Sequence, residues 1–163
     1  MTAPRNPQVP ADARPRPAIG MLLGDPSGIG PEMAVRLLSR PEVQRDAQLV
    51  IIGDRAVLEA GERVAGGQID PVPVGSLGDA ARVPPGRIAM MALDAISADA
   101  IGPSRMTEAS ARYALQGLEA AARGVAEGHL HGVAFAPLNK GTMRLAGLTH
   151  EDELRLLQSL LNV

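Results

Sequence analysis

The stretch Ala18-Ile19-Gly20-Met21-Leu22-Leu23-Gly24-Asp25-Pro26-Ser27-Gly28-Ile29-Gly30-Pro31-Glu32 decides the fold. It opens as a short apolar run closed by Gly24-Asp25-Pro26, the pattern of a buried strand meeting a turn. Pro31 suits the first position of a helix, where no backbone N–H is needed, and Glu32 brings negative charge to the first turn. Met33, Leu37 and Leu38 supply the apolar face, and Pro41 stops the pattern. Leu49-Val50-Ile51-Ile52 repeats the theme: a strand closed by Gly53-Asp54, then a helix from Arg55 to about Val64, ended by Gly66-Gly67. Two buried strands joined by a helix imply a parallel pair with a right-handed crossover. The expected class is α/β, with a parallel-rich sheet flanked by helices.

Downstream, Pro71, Pro73, Pro84, Pro85 and Pro103 punctuate short apolar runs at Val72–Val74 and Ile88–Ala92, which read as short strands and loops. Thr107 is placed to cap a helix with Glu108 in its first turn. Leu115, Leu118, Ala122 and Val125 form one stripe of that helix, and Gly128 ends it. Gly132–Ala136 reads as a strand and Pro137–Gly141 as the loop beyond it. From Glu151 to Val163 the spacing is helical, with Leu154, Leu157 and Leu161 on one side and Leu156 and Leu160 adjacent. A face this wide needs a partner, either the preceding sheet or further chain, and an incomplete domain is the favoured expectation. Residues 1–17 carry Pro4, Pro7, Pro10, Pro15 and Pro17 and almost no large apolar side chains, so they read as a disordered lead-in.

Composition narrows the function. A chain of 163 residues that is 45% hydrophobic buries a real core. A net charge of −2 argues against a polyanion-binding surface, and 1% aromatic content removes base-stacking platforms. With no cysteine there is no disulfide, thiolate zinc site or cysteine nucleophile, which fits a cytoplasmic setting. No apolar run approaches the ~20 residues of a membrane span, and no secretory signal is visible.

Three stretches carry candidate chemistry. In parallel α/β sheets ligands bind beyond the strand C-termini, where Gly24–Glu32 falls. Gly28 and Gly30 allow close backbone approach, and the helix start suits an anion. The alternative is a tight turn in which Asp25 bonds local backbone. The dinucleotide fingerprint is absent, because Gly28-Ile29-Gly30 runs straight into Pro31-Glu32, and no phosphate-loop Gly-Lys-Ser/Thr follows. In Ala136-Pro137-Leu138-Asn139-Lys140-Gly141, Lys140 is either a point charge for a phosphate or carboxylate or a solvated lysine. In Leu148-Thr149-His150-Glu151-Asp152-Glu153-Leu154, His150 is either a polar group in a crevice or part of a capped acidic helix start. His129 and His131 stand apart from His150 and make no convincing metal site, and no Gly-x-Ser-x-Gly elbow supports a serine nucleophile.

Together these stretches resemble a known family. Gly24-Asp25-Pro26-Ser27-Gly28-Ile29-Gly30-Pro31-Glu32 looks like the N-terminal signature of the 4-hydroxythreonine-4-phosphate dehydrogenase family of pyridoxal phosphate biosynthesis. Ala136-Pro137-Leu138-Asn139-Lys140 resembles its second signature. Ala146-Gly147 and His150 fall where the family has Ala-Gly and then Gly-His-Thr-Glu. The resemblance covers about residues 18–163, the N-terminal portion of such an enzyme.

The resemblance implies a fold similar to the isocitrate and isopropylmalate dehydrogenases, two α/β lobes around a cleft, working as a homodimer. It implies NAD-dependent oxidation, with decarboxylation, of 4-phosphooxy-L-threonine, and a divalent metal (Zn, Mg or Co) polarising the reacting oxygen. It places His150, Glu151, Lys140, Asp25 and Gly28 in substrate binding. Glu151 stands where the family has Thr, which leaves room for another phosphorylated four-carbon acid, such as threonate or erythronate 4-phosphate, or for a dihydrodiol carboxylate. The family's metal-ligating histidines and most cofactor contacts follow the His150 motif. The resemblance therefore implies that the metal ligands are absent from these residues and that the isolated chain is a catalytically inactive fragment.

Overall fold

A computed structural model describes residues 16–145 and 153–161 of the chain. Most of the lead-in, residues 1–15, and the His150 motif lie outside the described residues. The first strand, β1 (Ala18–Leu22), is followed by α1 (Gly30–Leu38), a short α2 (Pro41–Asp46), β2 (Gln48–Ile52) and α3 (Arg55–Ala65). Then come β3 (Val72–Pro73), a 3-10 helix over Leu77–Arg82 and β4 (Ala89–Met91). A 3-10 turn at Ala98–Ala100 leads to the long α4 (Glu108–Ala126), β5 (Gly132–Phe135), α5 (Lys140–Leu145) and α6 (Glu153–Leu161).

The strands form one sheet in the order β3-β4-β2-β1-β5, and every pairing is parallel. Ala18–Leu22 pairs in register with Gln48–Ile52, as the two apolar runs require of a strand–helix–strand unit. Side chains alternate between the two faces of the sheet. Met21, Leu23, Leu49 and Ile51 join α1 and α3 residues Val35, Leu38, Val57 and Leu58 in one core. Leu22, Val50 and Ile52 join Leu118 and Ala121 of α4, Met143 of α5 and Leu156 of α6 in the other. The molecule is thus a sheet covered on both faces, which is why its strands read as continuous apolar runs.

The helices differ in detail from the sequence reading. Pro41 ends α1 as expected but also opens α2, occupying the first helical turn where its missing N–H costs nothing. The buried face of α1 is Pro31, Ala34, Val35 and Leu38, the i, i+3, i+4, i+7 set. Met33 and Leu37, expected in the core, are 46% and 39% exposed and line up with Ile29 on the outer face. In α4 the buried face contains many small residues (Ala111, Ala114, Gly117, Ala121, Gly124), with Tyr113 and Leu118 the large side chains among them. The expected stripe holds, with Leu118 and Ala122 buried and Leu115 and Val125 partly buried, and the small residues beside it let the helix lie close to the sheet. Thr107 caps α4 as expected, its hydroxyl accepting from Ser110 N–H at 3.1 Å. Gly61 permits the crossing of α3 on α1, where a Cβ would stand 2.5 Å from the carbonyl of Pro31. The final helix packs on the α4 side of the sheet through Leu156, with Leu157 half-buried and Leu160 exposed.

Candidate functional site

Both neighbours of β1 matter for the site. The chain leaves β1 into α1 on one face of the sheet and leaves β5 into α5 on the other. The loops after these adjacent strands therefore diverge, opening the crevice that parallel sheets offer at a switch in strand order. A cleft of about 330 Å³ lies there, walled by Asp25, Ser27, Gly28 and Ile29 after β1, by Pro137, Leu138 and Asn139 after β5, and by Ser104, Arg105 and Met106. A larger depression along α3 is lined by Arg55, Glu59 and Glu62, but Arg55 already pairs with Glu59 at 3.0 Å and Glu62 at 3.5 Å.

Asp25 joins the first two walls. One carboxylate oxygen accepts from Ser27 N–H at 2.9 Å, and the other accepts from the Thr142 hydroxyl at 2.9 Å, 117 residues away in sequence. Its own N–H donates to the Pro137 carbonyl at 3.0 Å. Both readings of Asp25 thus hold: it bonds local backbone and it lines the cleft. Gly24 makes this approach possible, with φ +81° and the backbone of Ala136 and Pro137 against it. Asn139 Oδ1 accepts from Gly141 and Thr142 N–H at 2.8 and 3.2 Å, capping the start of α5.

Of the residues singled out from the sequence, Asp25 and Gly28 lie in the cleft wall. Lys140, expected in a loop, is the exposed first residue of α5 and is not part of the lining, because Asn139 caps the chain into a helix one residue earlier. His150 and Glu151 lie outside the described residues. His129 pairs with Glu127 at 3.5 Å, and His131 Nδ1 accepts from Ala18 N–H at 3.1 Å, at the strand ends opposite the cleft. Among the described residues no three His, Asp or Glu side chains come together as metal ligands. These residues do not fit the metal that the family resemblance implies.

Sequence reasoning missed the third wall, and it missed the buried carboxylate that gathers the segment upstream of it. Asp54, buried at the end of β2, accepts four backbone N–H bonds, from Leu93 and Asp94 at 2.8 and 2.7 Å and from Ala95 and Ile96 at 2.8 and 2.9 Å. The signal was present in the repeated strand–Gly–Asp pattern, Gly24-Asp25 and Gly53-Asp54. In both places the carboxylate at a strand end ties down a distant segment.

Beside Asp54 lies Tyr113, buried and without a hydrogen-bond partner for its hydroxyl. Burial pushes its phenol well above the ordinary value near 10, and the Asp54 charge adds to this. The unfolded chain therefore releases the phenolic proton first. Stability from this group is fully present below pH ~10 and falls as pH rises beyond it. Because Tyr113 is the chain's single tyrosine, tyrosinate absorbance reports it alone. The expected result is that ionisation is delayed until the fold opens, and that Tyr113→Phe flattens the alkaline loss of stability.

With the geometry in hand, the chain can be set beside known proteins. Residues 45–163 match the family described as pyridoxal phosphate biosynthetic protein PdxA. A Pseudomonas aeruginosa protein provisionally named 4-hydroxythreonine-4-phosphate dehydrogenase 2 is 34% identical over 143 residues, 85% of this chain and 41% of that protein. A D-threonate 4-phosphate dehydrogenase of Bordetella bronchiseptica is 31% identical over 139 residues, 83% of this chain and 39% of that one. The crystal structure of a 4-hydroxythreonine-4-phosphate dehydrogenase from Burkholderia phymatum superposes with a TM-score of 0.83 at 25% identity, covering 92% of this chain and 45% of the other. The chain thus spans about two-fifths of the length of the curated relatives it matches. On the family match and the shared sheet, the chain belongs to the PdxA family of pyridoxal phosphate biosynthetic proteins.

Proposed function

We propose that this chain forms the N-terminal α/β portion of an NAD-dependent dehydrogenase that oxidises 4-phosphooxy-L-threonine, with decarboxylation, and works as a homodimer. The observation that supports this best is the meeting of Gly24–Ile29 and Pro137–Asn139 in one cleft, joined through Asp25 and Thr142. The cleft volume of about 330 Å³ lies at the small end of the ~300–1,000 Å³ range of ligand sites, suited to a phosphorylated four-carbon acid rather than a whole dinucleotide. Asp25 and Gly28 shape the substrate wall. Lys140, at the exposed start of α5, and His150 and Glu151 beyond it complete the proposed substrate-binding set. NAD supplies hydride acceptance when bound, and no described residue is assigned to it. No step is drawn through a metal.

A second reading, oxidation of D-threonate 4-phosphate, is favoured by the Bordetella bronchiseptica relative. One experiment separates the two. Residues 18–163 are joined to the C-terminal portion of the Burkholderia phymatum enzyme. NAD, a divalent metal and each phosphorylated acid are then added, and reduced cofactor is read by absorbance. Turnover of 4-phosphooxy-L-threonine, and not of threonine, is expected. Preference for D-threonate 4-phosphate selects the second reading. A hybrid that melts like its parent and turns over neither acid contradicts both.

A further inference from the structure

The cleft contains two groups that the fold leaves unused. Ser27 is 9% exposed, yet its hydroxyl has no hydrogen-bond partner. Nothing in the packing of the chain requires a polar atom there, and a buried hydroxyl without a partner is unfavourable. Arg105, on the facing wall, makes no side-chain hydrogen bond or ion pair among the described residues, whereas Arg55, Arg87 and Arg112 are each paired with a carboxylate. Its segment is held in place: Ser104 N–H donates to the Ser27 carbonyl at 2.9 Å, and Ser104 adopts φ +57°, a conformation that costs energy for a residue with a Cβ. That bond fixes the segment carrying Arg105 against the turn carrying Ser27, and both side chains line the cleft.

The start of α1 follows this turn directly, but its first residues, Gly30 and Pro31, are buried behind Gly28 and Ile29 and are not part of the lining. Asp25 is the acid in the lining, but both its oxygens are engaged, by Ser27 N–H and the Thr142 hydroxyl. The side-chain donors left free in the lining are a hydroxyl and a guanidinium, a pair suited to a phosphoryl group.

We propose that Ser27 and Arg105 form a phosphoryl-binding subsite, with the Ser27 hydroxyl and the Arg105 guanidinium both donating to phosphoryl oxygens in the cleft beside the Ser27–Ile29 turn. This deepens the dehydrogenase reading of the same cleft and rests on it only for the source of the phosphoryl group, a substrate phosphate monoester or a nucleotide diphosphate.

The test is a titration of the isotope-labelled full chain with inorganic phosphate, followed by amide resonances. Saturable shifts are expected at Ser27, Gly28, Ser104 and Arg105. Arg105→Met should weaken binding about tenfold or more, and Arg105→Lys should restore part of it, as expected for a charge-assisted hydrogen bond. Ser27→Ala should weaken binding about three- to tenfold with no loss in melting temperature, since it removes an unpartnered hydroxyl. Competition by 4-phosphooxy-L-threonine against ADP names the source as whichever displaces phosphate at lower concentration. Shifts that do not saturate, that fall elsewhere, or that persist unchanged in Arg105→Met and Ser27→Ala overturn the subsite. Arg105 is exposed, so its variants keep the native spectrum. Failure here with an active hybrid sinks the subsite alone, and an inactive hybrid with intact phosphate binding sinks the dehydrogenase reading alone.

Discussion

Replacing Asp54 by alanine is expected to lower the unfolding free energy by about 3–5 kcal/mol, read from the denaturant midpoint at unchanged slope. Four consecutive backbone N–H groups converge on this one carboxylate, at 2.7 to 2.9 Å. Removing the acceptor strands all four, and the Ile96 N–H is buried. Asp94 sits at φ +53°, so the turn that presents these donors is itself strained and persists because the carboxylate gathers it. Asp54→Asn should be nearly as damaging, because one oxygen becomes an amide N–H₂ facing N–H donors. Both variants should also weaken phosphate binding, since Leu93–Ile96 leads into the wall that carries Arg105.

Gly24→Ala is the second large effect, expected to cost about 3–5 kcal/mol and to abolish ligand binding in the cleft. At φ +81° a Cβ is strained, and here it would also stand 2.6 Å from the Pro137 carbonyl oxygen and 2.9 Å from that of Ala136. Those carbonyls cannot retreat. Strand β5 is paired to β1 through Leu22 and Phe135, and the Pro137 carbonyl accepts from Asp25 N–H at 3.0 Å. Gly66→Ala is the control. Gly66 has a similar φ of +69° but nothing within 4 Å, so only the conformational penalty of about 1–2 kcal/mol should be seen. The difference between the two variants isolates the close approach of backbone on which the cleft depends.

The fold was largely legible because it rests on apolar runs closed by turns. Ala18–Leu23 and Leu49–Ile52 announced their strands, and the helix between them announced their parallel pairing. What escaped notice depends on small residues and on distance. Met33 and Leu37 were placed in the core because they are large, whereas Pro31, Ala34 and Val35 fill it because they face the sheet. The first two walls of the cleft could be read from motifs, but Ser104–Met106 could not. That segment carries no pattern of its own and is held at the site by the Ser104 N–H bond to the Ser27 carbonyl, downstream of the Leu93–Ile96 turn that Asp54 gathers. Lys140 shows the converse: a conspicuous residue in a motif that the Asn139 cap turns into the first residue of a helix.

The central claim is that the crevice beyond β1 and β5 is where this chain meets its substrate. The most direct measurement is amide shift mapping of the labelled chain as 4-phosphooxy-L-threonine is added. Saturable shifts are expected at Asp25–Ile29, Ser104–Met106, Leu138–Lys140 and His150–Glu151, with the Arg55–Gly66 surface unmoved. Shifts centred on α3, or none at high ligand concentration, would contradict it.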